Sequence, residues 1–447
     1  MIKTLRDALR TKEIRDRLVF TFFMLIVVRL GCQIPIPFVN ADEVANITSQ
    51  FSEGAFSFFA AITGGSMEKM SVFSLNITPY ITSSIIMQLL TIAIPKLEEL
   101  QKDGEEGRKK IAEITRYVTV ALAIIESLAL IIGFANSGLF DTDTIFFATN
   151  MSMIRKVGVV TTGVIAMTAG SAVLMWIGEQ ITEKGVGNGI SIVLTINIIS
   201  RIPSDVSTLF TNYVFGSDGS IGGKITAAFV IIAIIVGIIA FVVVLQGGTR
   251  NIAIQMSQKV QGRRSVGAKS SNIPLKVNTA GVIPVIFASS IMQFPIVIGQ
   301  FLNKSPEWMN YLNQSKWCNP ANPKYSIGFA AYILMIIFFA YFYTSITFNP
   351  REVAKNLNDR GGFIPGIRSG KPTVEYLTNI LNYIILIGAL GLIIVAAVPI
   401  IASGVASADV SFGGTSIIII VGVILETLVA IKSMMAERTY KEIKGIF

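Results

Sequence analysis

The chain is 447 residues long, 52% hydrophobic and only 15% charged, with a mean hydropathy of +0.64. Soluble domains carry roughly 25% charged residues, so a single water-soluble core is excluded. Histidine is absent and the two cysteines, Cys32 and Cys318, make neither a CxxC pair nor a thiolate cage. No metal site and no cofactor is therefore expected, and the two thiols read as unpaired.

Residues 1–17 are long and mixed in charge, and no small-residue cleavage site follows the next apolar run. That run is expected to stay in the membrane as a first span. Blocks approaching the ~20 residues needed to cross a bilayer lie near 18–37, 75–94, 114–134, 157–177, 190–210, 225–245, 281–301, 327–348, 380–402 and 416–434. The predicted fold class is an all-α polytopic membrane protein with ten transmembrane helices. Spans two, five and seven contain Thr, Ser, Asn, Gln or Pro, so lipid should not face them on all sides.

Between spans one and two, Phe56, Phe58, Phe59 and Ile62 form a short apolar segment followed by Gly64 and Gly65. The pattern predicts a short helix ended by the glycines. It is too short to span and fits a re-entrant or interfacial element able to fold back over a pore. With ten spans, 28 of the 37 Lys and Arg lie on the side that holds both termini and 8 lie on the other. The positive-inside rule then puts both termini in the cytoplasm. Ten divides into halves 1–215 and 216–447 of five spans each, and an odd number makes the halves inverted, as in many channels and carriers. No sequence repeat relates them.

The candidate intramembrane charges are few: Arg29, Glu126 and Glu426. Arg29 lies near a span end and can snorkel. The two glutamates fit either an ion site or pairing with a helix or partner subunit, and pairing is favoured. A secondary transporter of a small solute would need a midplane site of ionisable or unwound elements, and aliphatic residues stand there instead. An intramembrane protease would need a Ser/Lys or Asp pair within the spans, and none is seen. No GxxxxGK[ST] pattern occurs, so the chain is not expected to be an enzyme, and any nucleotide-driven motor must be a separate partner. The loops 246–278, with Arg263 and Arg264, and 349–375, with Arg351, Arg360 and Arg368, are long and basic. Exposed Arg beside Gly and Pro suits docking to an acidic or RNA-rich partner.

Five stretches carry a family resemblance: 76–90 (Asn76-Ile77-Thr78-Pro79-Tyr80 onward), 178–192 (with Gly185-Val186-Gly187-Asn188-Gly189), 274–290 (with Ala280-Gly281-Val282-Ile283-Pro284), 349–368 (Asn349-Pro350-Arg351-Glu352 and Phe363-Ile364-Pro365-Gly366-Ile367-Arg368) and 412–416 (Phe412-Gly413-Gly414-Thr415-Ser416). In this order they resemble the SecY family over nearly the whole chain. The resemblance implies a protein-conducting channel in the bacterial cytoplasmic membrane, with an hourglass pore between two inverted five-helix halves. It implies a pore ring of Ile81, Ile85, Ile190, Leu194, Ile286 and Ile419, where Leu194 departs from an all-isoleucine collar at nearly constant volume. It implies a plug over 56–73, hinged at Gly64 and Gly65 and held weakly enough to leave. It implies a lateral gate, for which Ser83, Ser84 and Gln88 face Ser289, Ser290 and Gln293 as candidate contacts. The docking surface is Arg263, Arg264 and Arg368, with Arg351 and Arg360. The implied partners are SecE-like and SecG-like small subunits, the SecA motor, ribosomes, signal peptides and nascent chains, and membrane lipid.

Overall fold

The computed structural model describes residues 6, 9–37, 39, 63–136, 153–211, 214, 221–256, 260–261, 264–265, 270–301, 307–313, 317–318, 322–406 and 414–444. Phe56, Phe58, Phe59, Ile62 and Arg263 lie outside them. The main helices are α1 (Lys12–Gly31), α2 (Thr78–Ala93), α3 (Pro95–Lys102), α4 (Gly104–Asn136), α5 (Met153–Lys184), α6 (Gly189–Phe210), α7 (Ile221–Gly247), α8 (Ile283–Phe301), α9 (Met309–Leu312), α10 (Ser326–Thr347), α11 (Pro350–Asp359), α12 (Lys371–Ala406) and α13 (Gly414–Lys444).

A helix overlaps each of the ten expected blocks. Among the described residues, seven helices are long and apolar enough to cross a membrane: Gly104–Ile132, Val157–Lys184, Gly189–Thr208, Ala228–Gly247, Pro323–Asp359, Lys371–Ile401 and Ser416–Glu437. An eighth is a pair, α2 with α3, bent by 102°. The bend has a local cause. Pro95 opens α3, and Ile94 before it is extended (φ −112°, ψ 111°), because the proline ring disfavours the helical region in the preceding residue. Helices α1 and α8 are not among these eight.

The chain divides into two compact units. One comprises Met1–Thr208, Pro295–Asn310 and Glu426–Phe447, the other Leu209–Phe294 and Tyr311–Leu425. The first changeover lies between Thr208 and Leu209. The end of α13 groups with the first unit because Ile431 buries itself with Ile14 and Val186.

In the first unit α4 packs on α5 and on α2, and α1 on α5. One core cluster gathers Ile36, Met67, Met70, Leu75, Leu130, Ile131 and Met167. A second gathers Val28, Cys32, Phe73, Ile77, Leu174, Ile177, Ile181 and Val193. In the second unit α10 packs on α12 through Ala340, Leu381, Ile385 and Ala389, small and branched residues that let the helices approach as membrane interfaces require.

The same unit holds a three-stranded sheet. β1 (Thr249–Met256) pairs antiparallel with β4 (Ser270–Lys276), Ile252 opposite Ile273, and with β5 (Gly362–Phe363), Gln255 opposite Phe363. Between β1 and β4, β2 (Val260–Gln261) and β3 (Arg264–Ser265) form a two-residue ladder. Cys32 and Cys318 are free thiols.

Candidate functional site

The stretch before α6 sets the position of the residues that follow it. Asn188 caps the helix, its Oδ1 accepting from the Ile190 and Ser191 amides at 3.2 and 3.4 Å, the usual service of an N-cap asparagine. Thr182 Oγ1 accepts from the Gly189 amide at 2.9 Å. A Cβ on Gly189 would lie 2.0 Å from the Gly178 carbonyl oxygen, so only glycine lets α6 start this close to α5. Gly187 has φ +74°, a left-handed conformation that glycine adopts without cost. The Gly185–Gly189 run is thus a tight, capped reversal that sets Ile190 against Gly178.

Four expected ring residues lie in the first unit. Ile81 and Ile190 pack, half-buried, against one apolar cluster. Ile85 is half-buried and Leu194 is buried. The spacings 81/85 and 190/194 place each pair on one helix face. The remaining two lie in the second unit: Ile286 is half-buried on α8 and Ile419 is buried on α13.

The expected gate residues separate by their bonding. Ser83 is buried, and its hydroxyl donates to the Thr115 carbonyl on α4 at 2.8 Å. Ser289 is buried, and its hydroxyl shares a 3.1 Å hydrogen bond with the buried Tyr332 on α10. Each thus bonds within its own unit. A buried hydroxyl takes the nearest internal partner because leaving it unpaired is costly. Ser84 and Gln88 remain the more open pair, with Gln88 Nε2 donating to Ser84 Oγ at 3.4 Å. The side chains of Ser290 and Gln293 lie outside the described residues.

Residues 66–73 of the expected plug form a run of turns with one β-bridge, Ser71 to Pro35. Met67, Met70 and Phe73 are buried in the first unit's core. Burying such a side chain contributes about 1.5–3 kcal/mol. Gly64 and Gly65 have φ +63° and +80°, a left-handed conformation that glycine adopts without cost.

The two long basic loops contribute to one module. Ile252, Ile254, Leu275, Ala354, Leu357, Ile364, Leu377 and Ile384 share a core, drawn from both loops and from α11 and α12. Asn349 caps α11 by accepting from the Arg351 amide at 3.1 Å. Arg351, Arg360 and Arg368 are exposed on this module, while Arg264 lies on β3 opposite Gln261. Ile364, an apolar residue without an evident role in a basic loop, is the buried anchor of β5's exit.

The SecY family model matches residues 71–428. The chain belongs to the SecY family. It is similar to the protein translocase subunit SecY of Streptomyces galbus, 41% identical over 445 residues and 99% of both chains. It is likewise similar to that of Bacillus subtilis (strain 168), 38% identical over 447 residues and 99% of both chains. Among solved structures it resembles a protein-conducting channel at 17% identity and a TM-score of 0.60, covering 95% of this chain and 93% of that one. It also resembles Sec61 in the canine ribosome–channel complex at 16% identity and a TM-score of 0.58, with the same coverage. These structures share the fold. Membership of the SecY family makes the chain a membrane-embedded subunit of a protein translocase and a channel component rather than an enzyme.

Sequence reasoning missed Asn76, Asn197, Glu68 and Arg201. Asn197 Nδ2 donates to Asn76 Oδ1 at 3.0 Å, Arg29 donates to Asn197 Oδ1 at 3.3 Å, and Arg201 pairs with Glu68. Asn76 lies within the expected span 75–94 and Asn197 and Arg201 within 190–210, so a polar or charged residue inside a span was the available signal.

Proposed function

We propose that this SecY-family chain is the polypeptide pore of a bacterial Sec translocase, with ten spans in two inverted halves and both termini in the cytoplasm. Ile81, Ile85, Ile190, Leu194, Ile286 and Ile419 form its collar. A narrow aliphatic ring cannot replace an ion's hydration shell, so it closes by dewetting, yet it deforms around an extended peptide. The observation that supports this reading is the capped, glycine-packed reversal at 185–189, after which Ile190, like Ile81, packs against one apolar cluster.

A plug over 56–73 covers the collar at rest, and a lateral gate lined by Ser84 and Gln88 releases apolar segments into lipid. Release is driven by about 0.3–0.6 kcal/mol per Leu, Ile, Phe or Val. The exposed arginines of the cytoplasmic module receive a SecA-type motor or a ribosome, since guanidinium forks suit carboxylate and phosphate, and small SecE-like and SecG-like subunits complete the assembly in the cytoplasmic membrane. The test is reconstitution in vesicles with a SecE-like subunit, the motor and ATP: a signal-bearing precursor should be imported. Solute uptake without partners, and no import with them, would replace the channel by a carrier.

A further inference from the structure

Three pieces of the second unit converge one turn away from Ile286 and Ile419. Val282 precedes Ile286 by four residues, and its carbonyl accepts from the Ile286 amide at 3.2 Å, so the two share one face at the start of α8. Gly422 follows Ile419 by three residues on α13, about 4.5 Å along the axis and on nearly the same face. A Cβ on Gly422 would meet the Gln246 carboxamide nitrogen at 3.6 Å and Val282 Cγ2 at 3.7 Å. In the proposed topology α8 runs outward from the cytoplasmic face and α13 runs back to it. Val282, Gly422 and Gln246 then form a layer on the cytoplasmic side of the collar.

The end of α7 is held by the neighbours of Gln246. Leu245 is buried against α12, where a Cβ on Gly391 would lie 2.5 Å from it. The Gly248 amide donates to the Val244 carbonyl at 3.0 Å, and the Gly248 carbonyl accepts from the Val277 amide at 2.9 Å. The Gln246 side chain turns instead to α13. As a residue it is only part-buried, yet its Nε2 is buried and has no hydrogen-bond partner among the described residues. Asn278, a buried carboxamide of the same unit, shows the contrast, since it donates to the Gly281 carbonyl at 3.0 Å. A buried amide donor without an acceptor costs stability, so an aliphatic side chain of similar length would serve the resting fold better.

We propose that Gln246 is a polypeptide-binding residue whose carboxamide pairs with the backbone of an extended chain as that chain enters the collar. A carboxamide carries a carbonyl acceptor and N–H donors, the groups of a peptide unit. Pairing of this kind takes main chain and ignores side chains, as strand addition at a sheet edge does. It suits a channel whose cargo has no fixed sequence. Gly422 carries no side chain and leaves the passing chain room beside the amide. The donor left over at rest is the one satisfied in transit. This proposal rests on the channel reading of the preceding subsection.

The test places Gln246→Cys in a chain carrying Cys32→Ala and Cys318→Ser, assembled with its partners in vesicles. A secreted precursor is stalled in transit by a folded C-terminal domain, and a single cysteine is walked through the residues ahead of that domain. Oxidation is expected to give a disulfide at several consecutive precursor positions, whatever residue each replaces. A disulfide at none of them would overturn the proposal. If the cysteine chain imports nothing, Gln246→Leu decides, because it keeps the size and removes the amide. Its melting temperature should be unchanged or higher, and its import about fivefold slower, the scale of one net hydrogen bond. Import at the unsubstituted rate would overturn the proposal, and so would a lowered melting temperature, which would assign the amide to the fold. An unsubstituted chain that imports no precursor fails the channel reading instead, so the two failures are distinguishable.

Discussion

The buried hydroxyls of Ser289 and Tyr332 lie 3.1 Å apart and satisfy each other, which ties α8 to α10 inside one unit. Ser289→Ala leaves the tyrosine hydroxyl unpaired and should cost about 1 kcal/mol, the scale of interhelical hydrogen bonds in membranes. Thermal unfolding in detergent reads that cost. Rejection of precursors with defective signals should be unchanged. Export of such precursors by the variant would return Ser289 to the seam.

Gly189→Ala should be harder to accommodate than any conservative change in the collar. The added methyl meets the Gly178 carbonyl, which is backbone and cannot rotate away. Overpacking of this kind costs roughly 1–3 kcal/mol. The melting temperature of the purified variant should fall; an unchanged melting temperature would show that α6 starts further from α5 than described.

Arg368→Glu reverses a charge on an exposed side chain, so the fold should change by no more than about 0.5 kcal/mol. Motor-driven export of a secreted reporter should be abolished while insertion of membrane proteins continues. Normal export would remove Arg368 from the docking surface.

Ile364→Ala tests whether the two long basic loops are one module. Ile364 is buried among residues from β1, β4, α11 and α12, and its truncation should cost about 2–5 kcal/mol. Limited proteolysis should then cut the 246–278 loop as well as the 349–375 loop. Cleavage confined to the second loop would mean that they fold apart.

The span helices were legible because each satisfies its own backbone bonds over some 20 apolar residues, a purely local property. The roles at Ile81 and Ile190 came from family likeness, since one aliphatic residue in a membrane helix resembles any other. The sheet was not read, although Ile252 and Ile254 alternate with polar neighbours as a half-buried strand does. Its decisive pairing, Gln255 with Phe363, joins distant parts of the chain that no local pattern connects. The same holds for Asn76 with Asn197, and for Ser83 and Ser289, whose hydroxyl partners depend on which neighbour folding brings within reach.

The central claim is a water-excluding collar built on α2 and α6. Single-channel recording or vesicle ion flux on the Ile81→Asp, Ile190→Asp chain, assembled with its partners and competent for import, tests it most directly. The account predicts a resting ion leak absent from the unsubstituted channel. Ion tightness in that variant, persisting after deletion of residues 56–62, would contradict it.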